Sequence, residues 1–230
     1  WQATAFALEG GEPLSHQGLI ADALMALALL APQIQTTQLL HVLRSPYYHF
    51  GDSSECAALQ LTIGNLGNAR WSATTLHEAL TQHAEHLPAA AKLQQWLQSA
   101  RSRLQQTQRG TATSWAQCFH DCLNAAGFAA SSPLDSRDAQ RLLRWSALLD
   151  EFAALDAVVA PMPAPQALRL LQRLASEAQH QAATADAAIT FSTQLHDPVA
   201  HYDGMWVLGL TEHRWPPAPR NRHWQCVWRD

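Results

Sequence analysis

From Leu19 to about residue 182, apolar residues return every three or four positions, and at Ala187 that rhythm stops. A chain patterned this way must be mainly α over most of its length, with a different, strand-bearing piece after the break. The run 19–30 is apolar nearly all round, which predicts a helix buried among others and stopped by Pro32. Thr36 or Thr37 can cap a second helix that ends before Pro46, because a proline restricts the residue before it. Residues 53–67 read as a short helix or turn. "TLHE" (75–78) and "SWAQ" (114–117) have capping-box spacing, opening a helix over 76–86 and another closed by Gly127. Between them, Pro88 suits the first turn of a helix carrying Leu93, Trp96, Leu97 and Leu104. Asp135 starts the longest helix, "PMPAP" (161–165) punctuates it, and Leu168, Leu171 and Leu174 mark a last one.

After the break, "AAITFST" (187–193) is β-branched and aromatic and reads as a strand, and "MWVLGL" (205–210) as a second. Two short strands do not make a stable sheet alone, so they read as the first strands of a parallel α/β sheet. The chain therefore divides into a helical domain, 1–182, a return into an α/β core, 183–220, and an atypical tail, 221–230. A start on Trp1 rather than Met suggests a fragment.

Composition bounds the function. With 15 basic against 19 acidic residues and a net charge of -4, no global field draws the chain onto nucleic acid. The run 19–32 is too short, and interrupted by Asp22, to span a membrane, and no signal-peptide pattern opens the chain, so a cytoplasmic protein is expected. Its 4 cysteines show no CxxC spacing, which argues against a zinc ribbon or a redox motif.

The lysine content excludes more. Lys92 is the one lysine, and it is followed by Leu93, so no Walker A loop is present. Ala90 stands two positions before it, where a metal-dependent nuclease of the restriction-enzyme type needs a carboxylate. Cys118 and Cys122 share a helical stripe with Trp115 and Phe119 and read as core. His77, His83 and His86 read as surface residues, and His41 and His49 have no evident carboxylate partner. No catalytic residue, metal site or cofactor site is expected in this chain.

"HVLRSPYYHF" (41–50) and "YDGMWVLGLTEHRWPPAPR" (202–220) together resemble a family of proteobacterial DNA repair proteins, similar to the AddB and RecB helicase–nuclease subunits. "WSATTL" (71–76), "SWAQCFHDCLNAAGF" (114–128) and "QRLLRWSALLDEFAALD" (140–156) also look like the middle of that family. The resemblance implies a helical insertion followed by the first strands of a truncated RecA-like helicase core domain. It places Val207, Leu208, Gly209 and Leu210 on a buried return strand leading to Trp215 and Pro216. ATP and Mg²⁺ are implied for the parent family only. Where active motors of the family carry a segment with lysine and Gly-Leu-Glu, this chain reads "ITFSTQLHDPVAHYD" (189–203), which points to a degenerate motor.

The expected role is non-catalytic: weak DNA positioning and contact with the remaining domains of a parent chain or a partner helicase subunit. Candidate DNA contacts are Arg214, Trp215 and Arg220 on a proline-stiffened loop, then Arg44 beside Tyr47. A free-standing helical protein-interaction module is the alternative.

Overall fold

The computed structural model describes residues 6–8, 12–130, 135–180, 189–191 and 203–208. Strands β1 (Phe6–Leu8) and β2 (Glu12–Pro13) and a 3-10 turn lead into α1 (Gly18–Ala28). β3 (Gln33–Gln35) precedes α2 (Thr36–Arg44) and α3 (Ser53–Asn65), and β4 (Arg70–Ser72) runs straight into α4 (Ala73–His83). Then come α5 (Pro88–Gln106), α6 (Ala112–Ala125), α7 (Ser136–Ala153), α8 (Ala164–Glu177), β5 (Gln179–His180) and β6 (Ile189–Phe191). The fold is mainly α, with strands of two or three residues among the described residues.

Helix α1 is the centre of the array. Leu19, Ile20, Ala23, Ala26 and Leu27 are buried, and α2, α6, α7 and α8 all pack on it. That is what an all-round apolar helix must do, since it has no polar face to offer water. Three tryptophans fix the periphery of the core, each with its indole N–H satisfied. Trp71 donates to Thr36 Oγ1 (2.9 Å), Trp96 to the Cys122 carbonyl (2.8 Å) and Trp115 to the Met162 carbonyl (2.8 Å). Burying the large ring is favourable only because the polar edge finds an acceptor. Near Trp115, Gly110 and Met162 exchange backbone hydrogen bonds of 3.0 and 2.9 Å. A Cβ on Gly110 would crowd the Ser114 and Thr107 side chains, which would have to shift to admit it.

Several helices begin where local chemistry, rather than the expected box, dictates. Ser72 Oγ accepts from the Thr75 N–H (3.1 Å), so α4 starts at Ala73 and not after Thr75. Thr111 caps α6 in the same way, accepting from the Ser114 N–H (3.3 Å), ahead of the expected Ser114. For α2 the cap is Gln35, paired reciprocally with Gln38. Thr36 is instead occupied, donating to the Asn68 carbonyl while accepting from Trp71. Other boundaries are as expected: Pro88 occupies the first position of α5, Asp135 caps α7, and Gly127, at φ 70°, follows the end of α6.

The short strands close the array on itself. β3 and β4 pair antiparallel beneath the starts of α2 and α4. β2 pairs antiparallel with β5, and the Leu14 N–H donates to the Ala178 carbonyl (2.7 Å), so the array ends where it began. Beyond that closure, β1 and β6 lie side by side and parallel, with Phe6 opposite Ile189, Ala7 opposite Thr190 and Leu8 opposite Phe191. Among the described residues, helices α1 to α8 thus lie in the chain between two neighbouring parallel strands.

The expected partner of the 187–193 strand was 205–210, and here the structure differs. Met205–Leu208 form no strand; Val207 and Leu208 are exposed, Leu208 at 89%. A two-stranded ladder of three residues offers no covered face in which a return strand could be buried. Gly209 and Leu210 lie outside the described residues. No helix among the described residues is long and apolar enough to cross a membrane.

Candidate functional site

The "RSPYY" segment ends α2 because Ser45, held at φ -64° and ψ 133° before Pro46, cannot continue the helix. Past Pro46 the chain builds a polar seam over an aromatic cluster. Tyr48 is buried, stacks on Phe50 at 5.9 Å, lies 5.5 Å from Phe128, and donates its hydroxyl to the Asp22 carbonyl (2.9 Å). Burial, with Asp22 adding to it, pushes the Tyr48 phenol well above its ordinary pKa. Tyr47 is half-buried, its ring edge-on to Phe128 at 6.5 Å, and its carbonyl accepts from Ala129 N–H (2.9 Å).

The Tyr47 hydroxyl donates to Asp138 Oδ2 (3.1 Å), and burial and this bond push its pKa up to about 12. The chain of contacts continues: Arg141 holds Asp138 Oδ1 at 2.8 Å and donates to Gln17 Oε1 (3.0 Å), and Gln17 donates to Glu12 Oε2 (3.2 Å). Five side chains thus join the α2–α3 connection, α7, the turn before α1 and β2.

Arg44 is exposed in the last turn of α2. Its Nε donates to Gln60 Oε1 (3.0 Å), and Gln60 in turn donates to the Leu43 carbonyl (3.3 Å). The free carbonyl at the helix end is therefore satisfied through Gln60 of α3, and Arg44 itself is exposed. One turn back, His41 Nε2 lies 2.6 Å from Asp22 Oδ1, the histidine side chain being 50% exposed and the aspartate 9%. Sequence reading missed this partner. The signal was an acid inside an otherwise apolar helix, which must be paired to be tolerated.

An Asp–His pair can orient an imidazole as a base, but a base needs a nucleophile within reach. Among the described residues no serine, threonine or cysteine is hydrogen-bonded to His41, and no set of three His, Cys, Asp or Glu could hold a metal. Cys122 is buried and Cys118 half-buried on α6. Their mutual hydrogen bond pulls the Cys118 thiol down and pushes Cys122 up, a packed pair that no third ligand completes among the described residues. The seam is thus built to hold elements together and to present Arg44, with no acid–base–nucleophile set around it.

Of the candidate DNA contacts, the structure brings Arg44 and Tyr47 to one end of α2 and engages Tyr47 internally. Arg214, Trp215, Pro216 and Arg220 lie outside the described residues. Comparison of the chain with family models, curated proteins and solved structures finds no match.

Proposed function

We propose that this chain is a non-catalytic part of a DNA repair and recombination helicase–nuclease subunit of the AddB/RecB kind, acting in the cytoplasm. Its helical array is an insertion into a RecA-like core, and its work is to position DNA and to contact the other domains of the parent chain or a partner subunit. The observation that carries this reading is the parallel pairing of β1 with β6 across the whole array. Parallel strands belong to α/β sheets covered on both faces, and two of them alone are not a stable sheet. A helical excursion between two such neighbours is the arrangement expected of an insertion in a helicase core. The sequence segments at 41–50 and 202–220 support the same family independently of the strands. A free-standing interaction module has one observation in its favour, the large buried core that the described helices build around α1.

DNA contact is assigned to Arg214, Trp215 and Arg220, then to Arg44. Fluorescence anisotropy of a labelled forked duplex across a salt series tests it. Changing Arg214 and Arg220 to Ala lowers affinity and flattens the salt slope by about 1 to 2 phosphate equivalents. Equal binding by the folded double variant assigns the loop to interdomain bracing instead.

A further inference from the structure

Helices α4 and α5 are antiparallel neighbours, and along their outer side runs an open groove of about 350 Å³. Leu80 and Leu97 contribute apolar wall, and its polar lining includes Thr74, His77, Gln94, Gln98, Arg101 and Ser102, with no carboxylate. Arg101 is the more informative member. Its Nη2 donates to the Leu29 carbonyl (3.1 Å), which anchors the guanidinium against the end of α1. Its Nε is shielded from solvent and has no acceptor, the one such side-chain atom among the described residues. Burial pulls the Arg101 pKa down, and no acid stands near enough to offset it. A partly desolvated guanidinium lining a groove without a carboxylate favours an anionic partner.

The other wall is prepared in the same sense. Gln94 Nε2 lies 3.1 Å from His77 Nδ1 and 2.7 Å from Thr81 Oγ1. An amide nitrogen has only protons to give, so His77 Nδ1 accepts and its own proton sits on Nε2 as a donor. From Gln94 to Gln105 the groove follows α5 for about 16 Å at 1.5 Å per residue, longer than one small anion needs.

We propose that the α4–α5 groove is a binding site for phosphate oxyanions, with Arg101 as the charged donor and the His77, Gln98, Ser102 and Gln105 side chains completing the contacts. The phosphate is either that of a nucleic-acid strand laid along α5 or that of a small phosphate ester. The strand source rests on the function proposed above; the small ester does not.

The test is an NMR titration of the ¹⁵N-labelled full chain, following the His77 and Arg101 side-chain signals, with inorganic phosphate and separately with a short oligothymidylate. Gln98→Glu places an acid in the groove at an exposed position without touching the Arg101–Leu29 bond, and is expected to keep the fold. Arg101→Gln is the second variant, its folding checked by circular dichroism. Saturable shifts of both signals by either ligand are expected, with Gln98→Glu weakening binding about tenfold through like-charge repulsion. Shifts with phosphate alone identify the small ester as the source. Oligothymidylate binding that is unchanged in Gln98→Glu overturns this groove and leaves DNA binding elsewhere standing. No saturable shift with either ligand overturns the site.

Discussion

The Tyr47 hydroxyl reaches Asp138, 91 positions away in sequence, and with Arg141 and Gln17 it ties the end of α2 to α7 and to the start of α1. Removing that hydroxyl in Tyr47→Phe should cost about 0.5–1.5 kcal/mol in urea unfolding at neutral pH. The same residue gives the fold an alkaline limit. In the folded chain Tyr47 keeps its proton to about 12, against an ordinary 10.0. Between those values the unfolded chain has released a proton that the folded chain retains, so stability falls as pH rises. The contribution is whole below 10.0 and is lost toward about 12. Tyr47→Phe should show a shallower decline over that window. Some decline persists, because Tyr48, buried against the Asp22 carbonyl, titrates in the same sense. Equal slopes in parent and variant would contradict the account of Tyr47. Of this seam only Tyr47 and Arg44 stood out in the sequence, since nothing local relates Asp22 to His41 or Tyr47 to Asp138. The partners come together only when α1, α2 and α7 pack.

At the level of elements, helices were legible where one residue carried the decision. Pro88, Asp135 and Gly127 each act through their own backbone or side chain, and each stands where its chemistry predicts. Starts were misplaced where two acceptable caps lay close together. Thr75 with Glu78 and Ser72 with Thr75 both fit a box spacing, and the choice falls to Ser72 because β4, paired with β3, delivers it in an extended conformation at the helix entrance. Ser72→Ala should therefore destabilise the protein by about 1 kcal/mol, measured by urea or thermal unfolding. A Glu78→Ala change, outside the observed box, should cost much less. The reverse order would return the start of α4 to Thr75. The strands were the illegible elements. Two- and three-residue ladders such as β2 with β5 are too short to show alternation, and they exist because the array brings their backbones together.

Over the whole molecule, β6 lies within the segment 187–193 expected to be extended. Its neighbour was not legible: β1 lies in the lead-in, where three residues leave no pattern, and its pairing spans the array. With its single lysine in α5, the chain should neither hydrolyse ATP nor cut linear duplex in the presence of Mg²⁺ or Mn²⁺. Turnover that survives repurification and disappears on mutating this chain would overturn the non-catalytic assignment. The proposed insertion rests most directly on the parallel ladder of β1 with β6. NMR of deuterated, amide-protonated and selectively Cα-protonated protein can read it through interstrand contacts and amide exchange. Nuclear Overhauser effects are expected between the backbones of Phe6–Leu8 and Ile189–Phe191 in parallel register, Ala7 opposite Thr190, with amides slower to exchange than those of an open chain. Fast exchange in both segments and no contact between them, while α1 to α8 stay protected, would contradict the proposed insertion.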